Sequence, residues 1–192
     1  MQSGLLKQCL LYTPVLFIGL LLSACENDLN KVRAIAAADA TKPIQRTTGV
    51  DMIVNDSSKL KARLLTPLLL EYDTKDSLAH KFMPNGVKVI LFNGNTKPEG
   101  TITADTGYFY DAKELVKFKK NVVAVNDEGT KYQSEELLWD RKTNKVYSNQ
   151  KVLMTKPTGD QMEGTSFESV GLKNPIFQNA TAIIHVEGDP TQ

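Results

Sequence analysis

Between Thr101 and Thr155 one pattern of apolar and polar positions is written twice, at a spacing of thirty residues. The first copy runs Ile102-Thr103-Ala104-Asp105-Thr106-Gly107-Tyr108-Phe109-Tyr110, then Leu115 to Val125; the second runs Tyr132 to Asp140, then Val146 to Met154. A shift of thirty without a gap lays Asp105 on Glu135, Phe109 on Trp139, Val116 on Val146 and Val122 on Val152. Each half-unit is rich in Val, Ile, Thr, Tyr and Phe and is closed by Asp, Asn, Lys or Gly, which is how strands and their turns are written. One strand pair cannot bury its apolar face alone, so stacked neighbours must supply the missing wall. The pattern therefore predicts an all-β chain built from repeated antiparallel strand pairs.

Upstream, a strand is expected over Thr47 to Val54, a turn at Asn55 to Ser58 and a strand over Leu60 to Leu65. Pro67 cannot donate to a ladder and predicts a bulge or break at an edge position before Leu68 to Tyr72. Thr74 to Lys81, containing His80, reads as a polar loop; Pro84-Asn85-Gly86 reads as a turn before the apolar strand Val87 to Phe92. After a turn at Pro157 to Asp160, Met162 to Glu168 reads as a third, truncated unit, and Ala180 to Val186 as the last strand.

Period-two alternation selects an inward set: Val87, Val89, Leu91, Ile102, Ala104, Val116, Phe118, Val123, Val125, Val152, Met154, Phe167, Ile184 and Val186. A one-residue slip would exchange Val123 for Val122 and Ile184 for Ile183. For any one of these residues plain sandwich core is the favoured reading; together they are the candidate lining of an apolar slot.

The N-terminus has another character. Lys7, the apolar run Leu10 to Leu22 and Leu22-Ser23-Ala24-Cys25 read as a secretion leader over 1–24, too short for the roughly 20 apolar residues of a spanning helix. Its end resembles the bacterial lipobox, which would make Cys25 a lipidated membrane anchor; the plain alternative is an ordinary cleaved leader with Cys25 incidental. Residues 25–46 then form anchor and spacer, 47–187 the β-domain and 188–192 a tail.

With Cys9 lost in the leader and Cys25 used by the anchor, no thiol remains for a disulfide, a metal or a nucleophile. Removing Lys7 leaves 22 basic against 22 acidic side chains, which gives no reason to expect nucleic acid as a partner. His80 and His185 stand far apart without paired ligands, and no Gly-x-Ser-x-Gly or phosphate-cradling loop is present, so neither a metal, a cofactor nor a catalytic set is expected. Lys117, Lys119 and Lys120 form a basic stripe that suits a solvated outer face or the phosphates of a lipid.

Taken in order, the leader, the polar spacer, Thr48-Gly49-Val50, Lys61-Ala62-Arg63 with Pro67, Gly86-Val87-Lys88-Val89, Ala104-Asp105 with Lys120-Asn121-Val122-Val123, and Ser134 to Asp140 resemble the LptC family over residues 47 to 187. That family is the periplasmic component of the lipopolysaccharide export system. The resemblance implies a twisted, partly open, OstA/LptA-like antiparallel β-jellyroll, not an enzyme, whose interior carries lipopolysaccharide acyl chains. It implies partners as well: the LptF/LptG-like membrane subunits of an inner-membrane ABC transporter, and an LptA-like periplasmic bridge protein.

In such a chain the sheet edges dock the partners by strand addition. Val50, Met52 and Val54 would face the transporter, and Thr181, Ile183 and His185 the bridge protein; the plain alternative is a pair of ordinary terminal strands. Better-known members keep an uncleaved N-terminal membrane helix, so the Cys25 anchor is a departure, with a periplasmic location and the inner membrane favoured. An acyl chain of about twelve carbons leaving a membrane exposes apolar surface worth roughly 10 kcal/mol, which is why a carrier needs a continuous apolar slot. The alternative function is a non-transporting envelope scaffold with a β-repeat interaction domain.

Overall fold

Strands and turns, without a helix, make up the computed structural model over its described residues, which are 42–184 apart from 57, 73–79 and 95. The strands are β1 (Gln45–Asp56), β2 (Lys59–Tyr72), β3 (His80–Met83), β4 (Val87–Phe92), β5 (Pro98–Ala104), β6 (Thr106–Tyr110) and β7 (Leu115–Asn126). There follow β8 (Lys131–Asp140), β9 (Lys145–Ser148), β10 (Val152–Thr155), β11 (Gln161–Gly164), β12 (Ser166–Val170), β13 (Lys173–Gln178) and β14 (Thr181–Ile183). All pair antiparallel within one sheet, so the chain forms the all-β, partly open jellyroll that its sequence predicts.

The long strands explain how one sheet makes two layers. In β7, Leu115 to Lys119 pair with β6 while Val123 to Asn126 pair with β5. β8 follows it, giving Leu138 to Asp140 to β9 and Lys131 to Ser134 to β10. β2 gives Ala62 to Leu65 to β4 and Leu70 to Tyr72 to β3, with β1 along its other side. One half-sheet thus holds β3, β6, β9, β12 and β13, the other β4, β5, β10, β11 and β14, and the long strands cross between them.

Each crossing bends where the local chemistry allows it. Gly49 (φ +63°), Lys120 and Asn121 (φ 65° and 49°) and Asn179 (φ 48°) adopt the left-handed conformation that Gly and Asn tolerate best. A register shift between Lys119 and Val122 adds the strand bend that a bulge produces. Side chains stitch the line: Asn121 Nδ2 donates to Asp105 Oδ2 at 2.6 Å, Asn179 Nδ2 to Thr165 Oγ1 at 3.2 Å, and Ser134 Oγ to the Lys151 carbonyl at 2.8 Å.

Pro67 lies on this line too, which corrects its expected place at an edge. β2 is an interior strand, but Pro67 falls between the stretch paired with β4, ending at Leu65, and the stretch paired with β3, starting at Leu70, so its missing N–H breaks no ladder on that side. His80 and Lys81 belong to β3 rather than to a loop, and His80 stacks on Tyr72 with ring centroids 5.2 Å apart. The third unit is also complete rather than truncated: β11–β12 and β13–β14 repeat both crossings. Glu114 and Asn144 in turns and Asn174 at the start of β13, spaced by thirty, all have positive φ (50°, 56° and 49°).

Inside, the repeat becomes packing. Phe109 and Trp139, Val116 and Val146, and Val122 and Val152 all face the core. Gly107, the counterpart of Leu137, has no side chain for a steric reason: a Cβ there would lie 2.9 Å from Met83 Cε and 3.0 Å from Val87 Cγ1. Leu172, in the β12–β13 turn at φ 61°, is fully buried and its carbonyl accepts from Asn126 Nδ2 and Tyr132 Oη, both at 3.3 Å. It packs over Gly100, where a Cβ would come within 2.9 Å of Leu172 Cδ1, and so fastens one half-sheet's hairpin onto the other half-sheet.

Two outcomes check this packing. Val122→Ala should lower stability by about 2 kcal/mol and Val123→Ala by no more than about 0.5 kcal/mol in urea unfolding; the opposite order would mean an inverted register. Burial, with Glu128 adding to it, pushes the Tyr132 hydroxyl up to about 12 from an ordinary value of 10.0. The folded state therefore holds Tyr132 neutral after the unfolded chain has begun to ionise, so its contribution is intact below pH 10 and is lost as pH rises towards 12. Tyr132→Phe should flatten that part of the alkaline stability profile, and an unchanged profile would refute the assignment.

Candidate functional site

The inward face of the folded sheet is the candidate slot. Val87, Val89, Leu91, Ile102, Ala104, Val116, Phe118, Val152, Met154 and Phe167 are all buried there. Val123 and Val125 are not, which corrects their expected facing. The chain turns the corner at Lys120 and Asn121 without changing which alternate positions point inward, so Val122 and Ala124 continue the row begun by Val116 and Phe118.

Ile184 is 68% exposed, because β14 is a three-residue strip held by β11 alone, with all three residues exposed. Val186, His185 and Cys25 lie outside the described residues. Core members that alternation within single strands did not select include Leu137, Trp139 and Leu172. The thirty-residue shift points to Trp139 through Phe109, whereas nothing in a Gly-Leu-Lys turn marks Leu172 as buried.

The middle of the slot is filled: Trp139, Phe118, Ile102, Leu64 and Leu91 have at most 1% exposure. Space opens at its margins. A cavity of about 560 Å3 at the fold line has Val50, Leu65, Pro67, Val87 and Ala104 in its wall. Another of about 390 Å3 lies at the far end, against Tyr132, Met154, Met162 and Leu172. Tyr132, Phe167 and Phe177 form a tilted aromatic row beside it, with centroids 5.0 and 5.3 Å apart.

Among the described residues the sheet keeps two unpaired margins. β1 bonds only to β2, while β13 bonds only to β12 and β14 only to β11. At the first margin Val50, Met52 and Val54 turn their side chains towards the core, leaving the backbone edge and the 62% exposed Ile53 outside. Arg63 Nε donates to Asp51 Oδ1 at 2.7 Å, which ties β1 to β2 and holds the Asp51 carboxyl below its usual range. Near the second margin Val170, Ile176 and Ile183 are each about 60% exposed, an apolar fringe where water would ordinarily be met by polar groups.

Several charged side chains elsewhere are paired with one another. Lys117 and Lys119 converge on Glu136, at 2.9 and 3.6 Å, so the basic stripe lies across the outer face and is partly neutralised. Trp139 is a core residue whose Nε1 donates to Asn144 Oδ1 at 3.1 Å, while Tyr108 and Tyr110 belong to an outer aromatic row with Phe82, 4.7 Å from Tyr108. No three His, Cys, Asp or Glu side chains converge among the described residues.

No curated protein matches this chain. One similar solved structure is that of LptH, described as the LptA homologous periplasmic component of the conserved lipopolysaccharide transport device from Pseudomonas aeruginosa. It shares 12% identity at a TM-score of 0.38, over 77% of this chain and 99% of that one. The family model described as lipopolysaccharide-assembly, LptC-related, matches residues 14–170, most of the sequence, and the chain therefore belongs to the LptC-related family of lipopolysaccharide-assembly proteins.

Proposed function

We propose that the domain takes lipopolysaccharide acyl chains between its two half-sheets and relays them from an inner-membrane ABC transporter with LptF/LptG-like subunits to an LptA-like periplasmic bridge protein, without catalysis. In this reading 1–24 is a cleaved leader, lipidated Cys25 is the tether and 25–46 the spacer that lets the domain reach its partners. Besides family membership, one observation supports it above others. A single sheet closes its apolar face on itself while, among the described residues, its terminal strands leave their outer edges unpaired.

A docked strand at either margin extends the sheet, and with it the apolar face, so adjoining jellyrolls share one continuous slot. β1 is assigned to the transporter side, and β13–β14 with the exposed Ile183 to the bridge side. Acyl chains enter by replacing contacts between apolar side chains with contacts of the same kind, which makes loading of a closed interior far less unfavourable than exposing either surface to water.

The filled middle of the slot favours a second reading, a scaffold that binds envelope proteins but no lipid. Photo-crosslinking in cells separates the two. A photoreactive residue at Val89, Phe118 or Met154 should form lipopolysaccharide adducts, and one at Lys88 or Val123 should not. Absence of adducts at every inward position would leave only the scaffold.

A further inference from the structure

Opposite the fold line the outer ends of the two half-sheets leave a gap, and that gap is cationic. A cavity of about 600 Å3 there brings Lys61 and Asn93 of one half-sheet to Lys142, Lys145 and Lys173 of the other. A smaller one of about 230 Å3 adjoins it, sharing Lys61 and Lys142 and bounded also by Arg141 and by the carboxylates Glu114 and Asp56, so cations outnumber anions by one there.

The cations differ in what they already hold. Lys145 is paired with Glu168, and Lys173 with Glu99 and Asp127 at 3.7 and 3.4 Å. Lys61 and Lys142 have no ion pair among the described residues. Arg141 is committed on only part of its guanidinium: Cζ lies 4.5 Å from the Phe109 ring centroid and Nη2 donates to the Asp111 carbonyl at 3.3 Å, but Nε is buried with no acceptor.

The apolar residues that border the larger cavity, Val170 and Ile176, are each about 60% exposed, and the buried core lies inward of the rim between the half-sheets. Cations above an oily slot are the layout that suits an amphiphile with an anionic head. The larger cavity also falls within the size range of small-ligand sites.

We propose that this mouth binds the phosphorylated saccharide head group of the carried lipid, with Lys61 and Lys142 taking a phosphate and the Arg141 side supplying further donors. The proposal rests on the lipid-carrying reading above and adds where the head sits while the chains lie inside. A free sugar phosphate offers the same chemistry, so the test must separate lipid from soluble anion.

The full chain in detergent is titrated with lipid A bearing both phosphates, with the same lipid stripped of phosphate, and with glucosamine 6-phosphate as competitor. The parent should prefer the phosphorylated lipid, and K61A/K142A should weaken that binding at least about tenfold while leaving the stripped lipid unaffected, with the preference fading as salt rises. Neither lysine side chain holds an ion pair among the described residues, so the double variant should keep the parent's thermal unfolding midpoint. Equal binding of both lipids by the parent, or an unaffected variant, would overturn the mouth alone. Full displacement of the lipid by glucosamine 6-phosphate at matching concentration would overturn the lipid as its source, and a parent that binds neither lipid would remove the carrier reading beneath it.

Discussion

The bend where long strands cross from one half-sheet to the other organises this molecule. A strand that alternates apolar and polar residues can close its apolar face on itself only if it turns once and keeps its alternation through the turn. Gly49, Lys120, Asn121 and Asn179 supply the left-handed backbone that such a corner needs. The bonds from Asn121 to Asp105 and from Asn179 to Thr165 hold neighbouring crossings together there. Lys120 is the least suited of these residues to that conformation, at a cost of about 1–2 kcal/mol. Burial of the Val116, Phe118, Val122 and Ala124 row across both layers offsets it.

Folding over without closing has a consequence that a barrel escapes. Full closure would remove every edge, whereas a folded open sheet keeps two. Here the margins are β1 and β13–β14, and the apolar residues beside them, Ile53, Ile176 and Ile183, are left in water. A chain selected only for stability would blunt these margins. Their persistence in a member of a lipopolysaccharide-assembly family accords with sheets that extend one another. Leu172 works in the opposite sense, fastening the mouth near β5 and β8 through its side chain and its carbonyl, so the two half-sheets are held together there.

Much of this was legible in the residues. The shift of thirty identified the paired crossings, and alternation alone assigned Val87, Val89 and Leu91 to the inside. What alternation lacks is any account of the corner. It cannot say whether two residues spent on a bend reverse the phase, and so Val123 and Val125 were placed inside when Val122 and Ala124 occupy that face. Nor does it register what covers a strand: Ile184 alternates correctly but follows a strip whose three residues are all exposed. Polar residues hid β3, because His80 earns its place by stacking on Tyr72 rather than by burial. The cationic mouth joins Lys61 to Lys142, far apart in the chain, and only the fold brings them together.

For acyl chains to enter between the half-sheets as proposed, these must part at the mouth while the fold line holds. Asn93 and Thr143 border the mouth from opposite half-sheets. Spin labels at these two positions report its width directly by double electron–electron resonance. Saturating lipopolysaccharide should shift the distance distribution to longer values, with a matched pair across the fold line, at Asn85 and Thr106, unchanged. A mouth distribution identical with and without lipopolysaccharide would contradict the account.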